Sequence, residues 1–376
     1  MSFDVLIVGA GLTGATIARR LHDQGWRPLV VDRRRHVGGN VHDHAHPSGI
    51  RIHTYGPHYF RTSAERIWTY VRRFDEFYPY EAVLMTSVDN RFEHWPIHAE
   101  YIERSVGKGW KPEFTGVPRN FEEASLAMMP APVYRKFVKG YTEKQWGVAA
   151  DELSADLAGR FDVRQDGDVR LKRSRYQGIP KEGYAAFMDR MLQGIPVLLN
   201  FDYLRNREVF RGQNLTVFTR PVDEYFDYDA GKLEYRSQRR EHTYHPDATF
   251  QLPVGQVNFP LAEHGAHVRL LEWKHMMEPE YAAQIGGTVI TSETPFSPVD
   301  SNEYEYPFPS ERNRRLYEAY EERARRTDGL LVCGRLGEYR YFDMDQAIAR
   351  AMMIADRILG GEWQSLRDQP LPELEM

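Results

Sequence analysis

The chain has 376 residues, of which 41% are hydrophobic, a formal net charge of −5 and a single cysteine. That length is too great for one compact core, so two or three lobes are expected. The charge gives no reason to invoke nucleic acid, no run approaches the ~18 apolar residues of a membrane span, and a lone Cys333 excludes an intramolecular disulfide.

The strongest signal comes first. The apolar run 5–8 leads into Gly9-Ala10-Gly11-Leu12-Thr13-Gly14, an amphipathic segment covers 15–24, and a second apolar run, 28–31, ends on Asp32. This order predicts strand, tight turn, helix and strand. One glycine makes the turn, one lets the backbone approach a pyrophosphate, and one lets helix and strand pack closely. The helix turns its free N–H groups and positive dipole end toward the phosphates. Asp32 stands at the tip of the second strand, where a carboxylate accepts hydrogen bonds from a ribose. The basic turn Arg33-Arg34-Arg35-His36 then closes on Gly38-Gly39-Asn40. A second glycine-rich backbone approach favours FAD; the arginine beside Asp32 leaves a 2′-phosphate, hence NADP, as the alternative. The first strand begins close behind Met1, leaving no room for a signal peptide, and a cytoplasmic protein is expected.

Farther along, alternation over 50–54 predicts a short strand leading to Gly56-Pro57-His58, with His58 either beside the cofactor or satisfied within its loop. Residues 62–74 carry a helix-start signal and apolar Ile67, Tyr70, Val71 and Phe74 at helical spacing. With further helical patches at 121–129 and 132–138, the stretch 62–150 reads as mostly helical. It ends in Gly140-Tyr141-Thr142-Glu143-Lys144-Gln145-Trp146-Gly147, whose Tyr141 and Trp146 read as core capping or as a stacking platform. Between 153 and 175 charge rises, with Arg160, Arg164, Arg170, Lys172, Arg173 and Arg175. Guanidinium forks match phosphate oxygens, so this is an anion site or a solvated basic face. A short helix is expected at 184–192. The β-like runs 197–199, 215–218, 226–235, 250–258 and 267–273 read as a substrate sheet rather than another dinucleotide unit. Arg269 alternates with Val268 and Leu270; if those face the core, Arg269 faces a cleft or water. A turn at 307–309 precedes a charged helix, 311–326. The apolar strand 329–333 carries Cys333 as core rather than as nucleophile, and Asp343 is a natural N-cap for a helix from Met344 to about 359. That helix offers a second N-terminus to a long cofactor. The Pro- and Glu-rich tail after Gly360 is expected to fray.

GAGLTGA, HVGGN, GPHYF, GYTEKQWG, RYQGIP, EYFDY with LEYRS, EWKH and GRLGEYRYFDMDQ occur in this order. On these motifs the chain resembles the UDP-galactopyranose mutase family over residues 4–359. The resemblance implies an α/β protein in three parts. They are an FAD-binding Rossmann-like domain (1–61, 186–225, 328–365), a helical domain (62–150) and a twisted antiparallel β-sheet substrate domain (151–185, 226–327). It places Gly9, Gly11, Leu12, Thr13, Gly14, Asp32, Arg33, Gly39 and Asn40 on the FAD, with Arg335, Asp343 and Met344 at its far end. His58 would lie against the isoalloxazine. Arg164 and Arg269 would clamp the substrate diphosphate, helped by Tyr176, Tyr306 and Tyr341. Tyr141 would stack near the uracil, Trp146 would sit on a mobile lid, and Asn258 would face the sugar hydroxyls. No metal is required.

The activity so implied is an isomerisation of UDP-galactopyranose and UDP-galactofuranose for cell-surface polysaccharide. Only reduced FAD has an N5 able to attack the anomeric carbon as UDP departs, and there is no net redox. A homodimer is a family expectation. Two departures bear on the sugar. Arg61, near flavin and substrate, stands where the family usually has a second histidine. The segment Phe92-Glu93-His94-Trp95-Pro96-Ile97-His98 replaces an FNLPFN-like pattern that helps shape the sugar pocket. The alternatives are a mutase for an N-acetylated or deoxy nucleotide sugar, an amine-oxidase-like flavin oxidoreductase, and a nucleotide-sugar binder without chemistry.

Overall fold

In the computed structural model of the chain, residues 3–160, 162–210 and 215–363 are described. The tail expected to fray lies, beyond Trp363, outside them, as does the Arg160 side chain. A five-stranded parallel sheet forms one core, in the order Val197–Leu198, Pro28–Val31, Val5–Val8, Thr216–Phe218, Leu330–Val332. Val5–Val8 and Pro28–Val31 are buried throughout, as continuous apolar runs in a sheet covered on both faces must be. The helix Leu12–His22 packs on this sheet with the C-terminal helix Met344–Leu359. Ala15, Ile17, Ala18 and Leu21 on the first, and Ile348, Ala351 and Ile354 on the second, share one apolar cluster. Both helices fall where the sequence places them.

A second sheet of seven strands runs Tyr306–Pro307, Tyr235–His245, Thr288–Phe296, Arg269–Glu272, Gln256–Asn258, Leu84–Val88, Arg91–Trp95. Every pairing is antiparallel except one, Gln256–Asn258 on Leu84–Val88. The long strand Tyr235–His245 pairs with Thr288–Phe296 from Ser237↔Phe296 to His245↔Thr288.

Three readings are corrected here. The stretch 62–150 is not mostly helical: Leu84–Val88 and Arg91–Trp95 form a hairpin that completes the large sheet. Its two-residue loop, Asp89-Asn90, has φ of 51° and 57°, the left-handed pair a tight hairpin needs. The runs at 197–199 and 215–218 belong to the parallel sheet, not to a substrate sheet. The strand expected at 226–235 begins only at Tyr235, because Val222–Tyr225 is a helical turn followed by left-handed Asp227 and Tyr228. No helix among the described residues is long and apolar enough to cross a membrane.

Candidate functional site

One large cavity opens between the C-terminal ends of the parallel strands and the seven-stranded sheet. Its first wall is backbone. Gly9 has φ +113°, and a Cβ there would lie 2.1 Å from Thr219 Oγ1; a Cβ on Gly14 would lie 2.0 Å from the Gly9 carbonyl oxygen. Glycine at these two positions lets helix Leu12–His22 start directly off the strand, with Gly11 as its N-cap and no side-chain cap covering its amides. The second glycine pair folds over the first: Gly38 N–H donates to Ala10 O (2.8 Å), and Gly39, at φ +54°, faces Gly11. The result is a cleft of bare backbone that a side chain would fill, and a pyrophosphate fits it.

Asp32 is fixed at the edge of this cleft. Its carboxylate accepts the N–H groups of Ala10 and Arg34, each at 2.8 Å, and keeps further lone pairs toward the cavity for a ribose. Arg33 is spoken for by Glu224 (3.1 Å) and Ser301 Oγ (2.6 Å). Glu224 also takes Arg220 at 2.6 Å. Arg33 is therefore turned to its own chain rather than toward the 2′-phosphate of NADP. Arg34 lies over the Tyr55 ring at 4.4 Å and donates to Asn40 Oδ1 (2.8 Å).

At the far end, Asp343 caps the helix Met344–Leu359 through a reciprocal box with Gln346. Asp343 also holds Arg61 at 2.8 Å. Arg335 lies 5.1 Å and 4.3 Å from the near-parallel rings of Tyr306 and Tyr341, whose centroids are 6.1 Å apart. The Arg335 Nε is buried without a partner. His58 faces the cavity with Nδ1 against Gly56 O (2.7 Å). Its remaining exposed surface opens into the cavity, and burial, reinforced by neighbouring His53, pushes its pKa down to about 3. The ring is neutral.

The opposite wall is a chain of buried charges. Arg269 bonds Glu293; Glu293 takes Arg240 at 2.7 Å; Arg240 then forks onto Glu305 at 2.7 and 2.9 Å. Burial pushes the Glu293 carboxyl up, but Arg269 and Arg240 outweigh it and hold it below its ordinary value. Arg269 is thus oriented from behind while its face opens into the cavity beside Tyr141 and Asn258. Asn258 accepts from Gln256 Nε2 at 2.9 Å. Leu84, Trp95, Phe137 and Leu171 supply the apolar side.

The cavity brings together Gly9, Gly11, Leu12, Thr13, Asp32, Arg33, Gly39, Asn40, His58, Arg61, Tyr141, Asn258, Arg269, Tyr306, Arg335, Tyr341, Asp343 and Met344. Four other candidates lie off its lining. Gly14 sits beneath the cradle, where it supports the turn. Arg164 is buried, bonded to Asp162 (3.0 Å) and Leu171 O (3.4 Å), with Nη1 unpartnered. Trp146 is packed in the helical core with its ring edge-on to Phe308 at 5.8 Å. Tyr176 stacks on Trp68 at 5.3 Å and bonds Glu65. Sequence reasoning missed Glu293, Arg240 and Glu305, and also Tyr59 and Gln256, which line the cavity. The alternation of 235–245 would have flagged Arg240, but charged residues on both strand faces hid it.

A family model described as UDP-galactopyranose mutase matches residues 136–341, and one described as an NAD(P)-binding Rossmann-like domain matches residues 7–74. A Klebsiella pneumoniae protein described as a probable UDP-galactopyranose mutase is 31% identical, covering 95% of this chain and 94% of its own. A dTDP-fucopyranose mutase of Escherichia coli is 29% identical over 93% of this chain and 97% of its own. A solved structure of reduced UDP-galactopyranose mutase superposes with a TM-score of 0.76 at 16% identity, covering 98% of both chains, which speaks for the fold. The chain belongs to the UDP-galactopyranose mutase family, the flavin-dependent mutases, and is thereby an isomerase.

Proposed function

We propose that the cavity holds FAD along the glycine cradle and a UDP-sugar against the charged wall, and that the protein interconverts UDP-galactopyranose and UDP-galactofuranose. The observation that carries this is Arg269, aimed by Glu293 into the cavity that the cradle opens on. When bound and reduced, the flavin would supply an electron-rich N5 as a nucleophile with no net redox change. The chain's own share is positioning and charge. The glycine cradle and the helix N-terminus take the FAD pyrophosphate, Asp32 takes the ribose, and Arg335 and Met344 lie toward the other end. Arg269 donates to the substrate diphosphate and stabilises it as it leaves, with Tyr306 and Tyr341 alongside; a pre-aimed guanidinium in a closed site is worth several-fold more than one in water. Tyr141 stacks near the uracil and Asn258 faces the sugar hydroxyls. Neutral His58, whose Nδ1–H donates to Gly56 O, keeps Nε2 to accept one hydrogen bond at the flavin without adding charge. Arg164, Trp146 and Tyr176 join only if their segments move inward on binding.

The division into residues 1–61, 186–225 and 328–365 for the cofactor, 62–150, and 151–185 with 226–327 goes with this reading, amended by the hairpin that 62–150 lends to the large sheet. Homodimerisation, a cytoplasmic site and a role in cell-surface polysaccharide are part of the same proposal. A second reading, a mutase for a deoxy or N-acetylated sugar, is favoured by Arg61 in the cavity and by the fucopyranose mutase relative. The test is an anaerobic assay of dithionite-reduced protein with UDP-galactofuranose beside an oxidised control. UDP-galactopyranose forming only in the reduced sample supports the main reading. Faster turnover of a 6-deoxy or N-acetylated analogue moves the assignment to the second.

A further inference from the structure

Lys144 lies in the helix Gly140–Trp146, one turn beyond Tyr141, and does not line the cavity. Its ammonium has three N–H donors. All three are used on backbone carbonyls of one loop: Leu261 O at 2.7 Å, Phe259 O at 3.0 Å and His267 O at 3.2 Å. That loop joins strand Gln256–Asn258 to strand Arg269–Glu272. Phe259 directly follows Asn258, and His267 stands two residues before Arg269, so the ammonium closes the mouth of the loop between these two residues.

The same helix and loop touch at a second point. A Cβ on Gly140 would lie 2.3 Å from the Pro260 carbonyl oxygen, so only glycine permits this approach. The other side of the helix is held by Arg236, whose Nε donates to Gln145 O (2.8 Å) and Nη2 to Lys144 O (3.2 Å), filling carbonyls that a helix end leaves open. Upstream, the wide π-turn Arg135–Lys139 carries Phe137, which lines the cavity with Tyr141; such turns often serve to aim side chains at a site.

We infer that Lys144 is a positioning residue: by tying the Tyr141 helix to the loop between Asn258 and Arg269, it fixes the base-stacking wall in register with the diphosphate wall. The inference rests on the nucleotide-sugar reading of this cavity for its effect on binding, but not for the tie itself. Lys144→Met removes the three donors and keeps a stem of similar length; Lys144→Arg restores donors to the same carbonyls.

The experiment uses the flavin-loaded full chain. The KM for UDP-galactose and the Kd for UDP should rise on the order of tenfold in Lys144→Met, with kcat little changed and flavin content intact, and Lys144→Arg should recover most of the loss. Hydrogen exchange without ligand should quicken together over residues 140–147 and 259–268. A lowered Tm with unchanged KM and Kd would overturn the inference, as would exchange that quickens in one segment alone. If Lys144→Met does not fold, Gly140→Ala strains the same junction and should give the same KM rise; an unchanged KM there overturns the inference too. Should the wild type neither bind UDP nor turn over, the functional reading fails, and the exchange measurement still decides whether the tie exists.

Discussion

The cavity has two walls built on opposite plans. The cradle at Gly9, Gly11, Gly14, Gly38 and Gly39 is local in sequence and made of bare backbone. The wall opposite is made of charges from distant segments, Arg240, Arg269 and Glu293 on strands and Glu305 just before one, each neutralising the next. The cradle works by what is absent, since a methyl group at Gly9 or Gly14 would fall 2.1 or 2.0 Å from its neighbour. The charged wall works by what is fixed in place, because a buried arginine without its carboxylate neither stays oriented nor stays cheap to bury. One wall therefore tolerates no added atom, and the other no lost charge.

The largest effect should come from removing the charge that faces the cavity. Arg269→Ala should cut turnover by about two orders of magnitude or more while flavin stays bound, as measured by steady-state assay and flavin absorbance. Near-normal turnover would detach Arg269 from the substrate. Gly14→Ala attacks the other wall: the purified protein should carry little flavin and unfold at lower temperature, read by the flavin-to-protein absorbance ratio. Full flavin occupancy would show that the turn relaxes and the cradle is less tight than its geometry.

Glu293→Gln sharpens the contrast, because it alters no cavity-lining atom yet leaves Arg269 without its carboxylate and Arg240 with Glu305 alone. A loss of about 3–5 kcal/mol is expected for breaking such a buried network, measured by denaturant unfolding. It also carries a pH signature. An unperturbed Glu titrates near 4.3, and Arg269 and Arg240, outweighing burial, hold Glu293 lower when folded. Its stabilisation is then fully present above about pH 4.3 and is lost as pH falls through the folded value. The variant should lose that part of the acid slope.

The smallest effect concerns His53 and His58. Burial pushes both down to about 3, well below the ordinary 6.5. The folded chain then binds fewer protons than the unfolded one between those values, so stability should decline as pH drops below about 6.5. Ring nitrogen shifts should show His58 neutral at pH 5.5, and a charged ring there would contradict the account.

The same contrast explains what could be read from the sequence. The cradle was legible because its logic is spacing: glycines between an apolar run and an amphipathic helix, then Asp32. The helix Met344–Leu359 was legible through its cap, Asp343, and Glu311–Arg326 through the turn before it and its charge. Arg269 was legible through strand alternation and through the family motifs. Glu293 and Glu305 were not, because a carboxylate in VITSETPF or NEYEYP looks like any solvated charge until the strand pairing places it under an arginine. The hairpin at 84–95 was missed although Asp89-Asn90 between two β-rich runs was a turn signal, outweighed by helical patches on either side. The roles given to Arg164, Trp146 and Tyr176 came from motif position, which does not fix which way a side chain is turned.

The central claim is that both walls serve one cavity, and a titration tests it directly. UDP is added to the flavin-loaded protein while the absorbance of the bound flavin is followed, beside the same titration of Arg269→Ala. The account predicts a saturable change in the flavin spectrum in the wild type and a much weakened one in the variant. A flavin spectrum that ignores UDP, while the nucleotide binds equally well to both proteins, would contradict it.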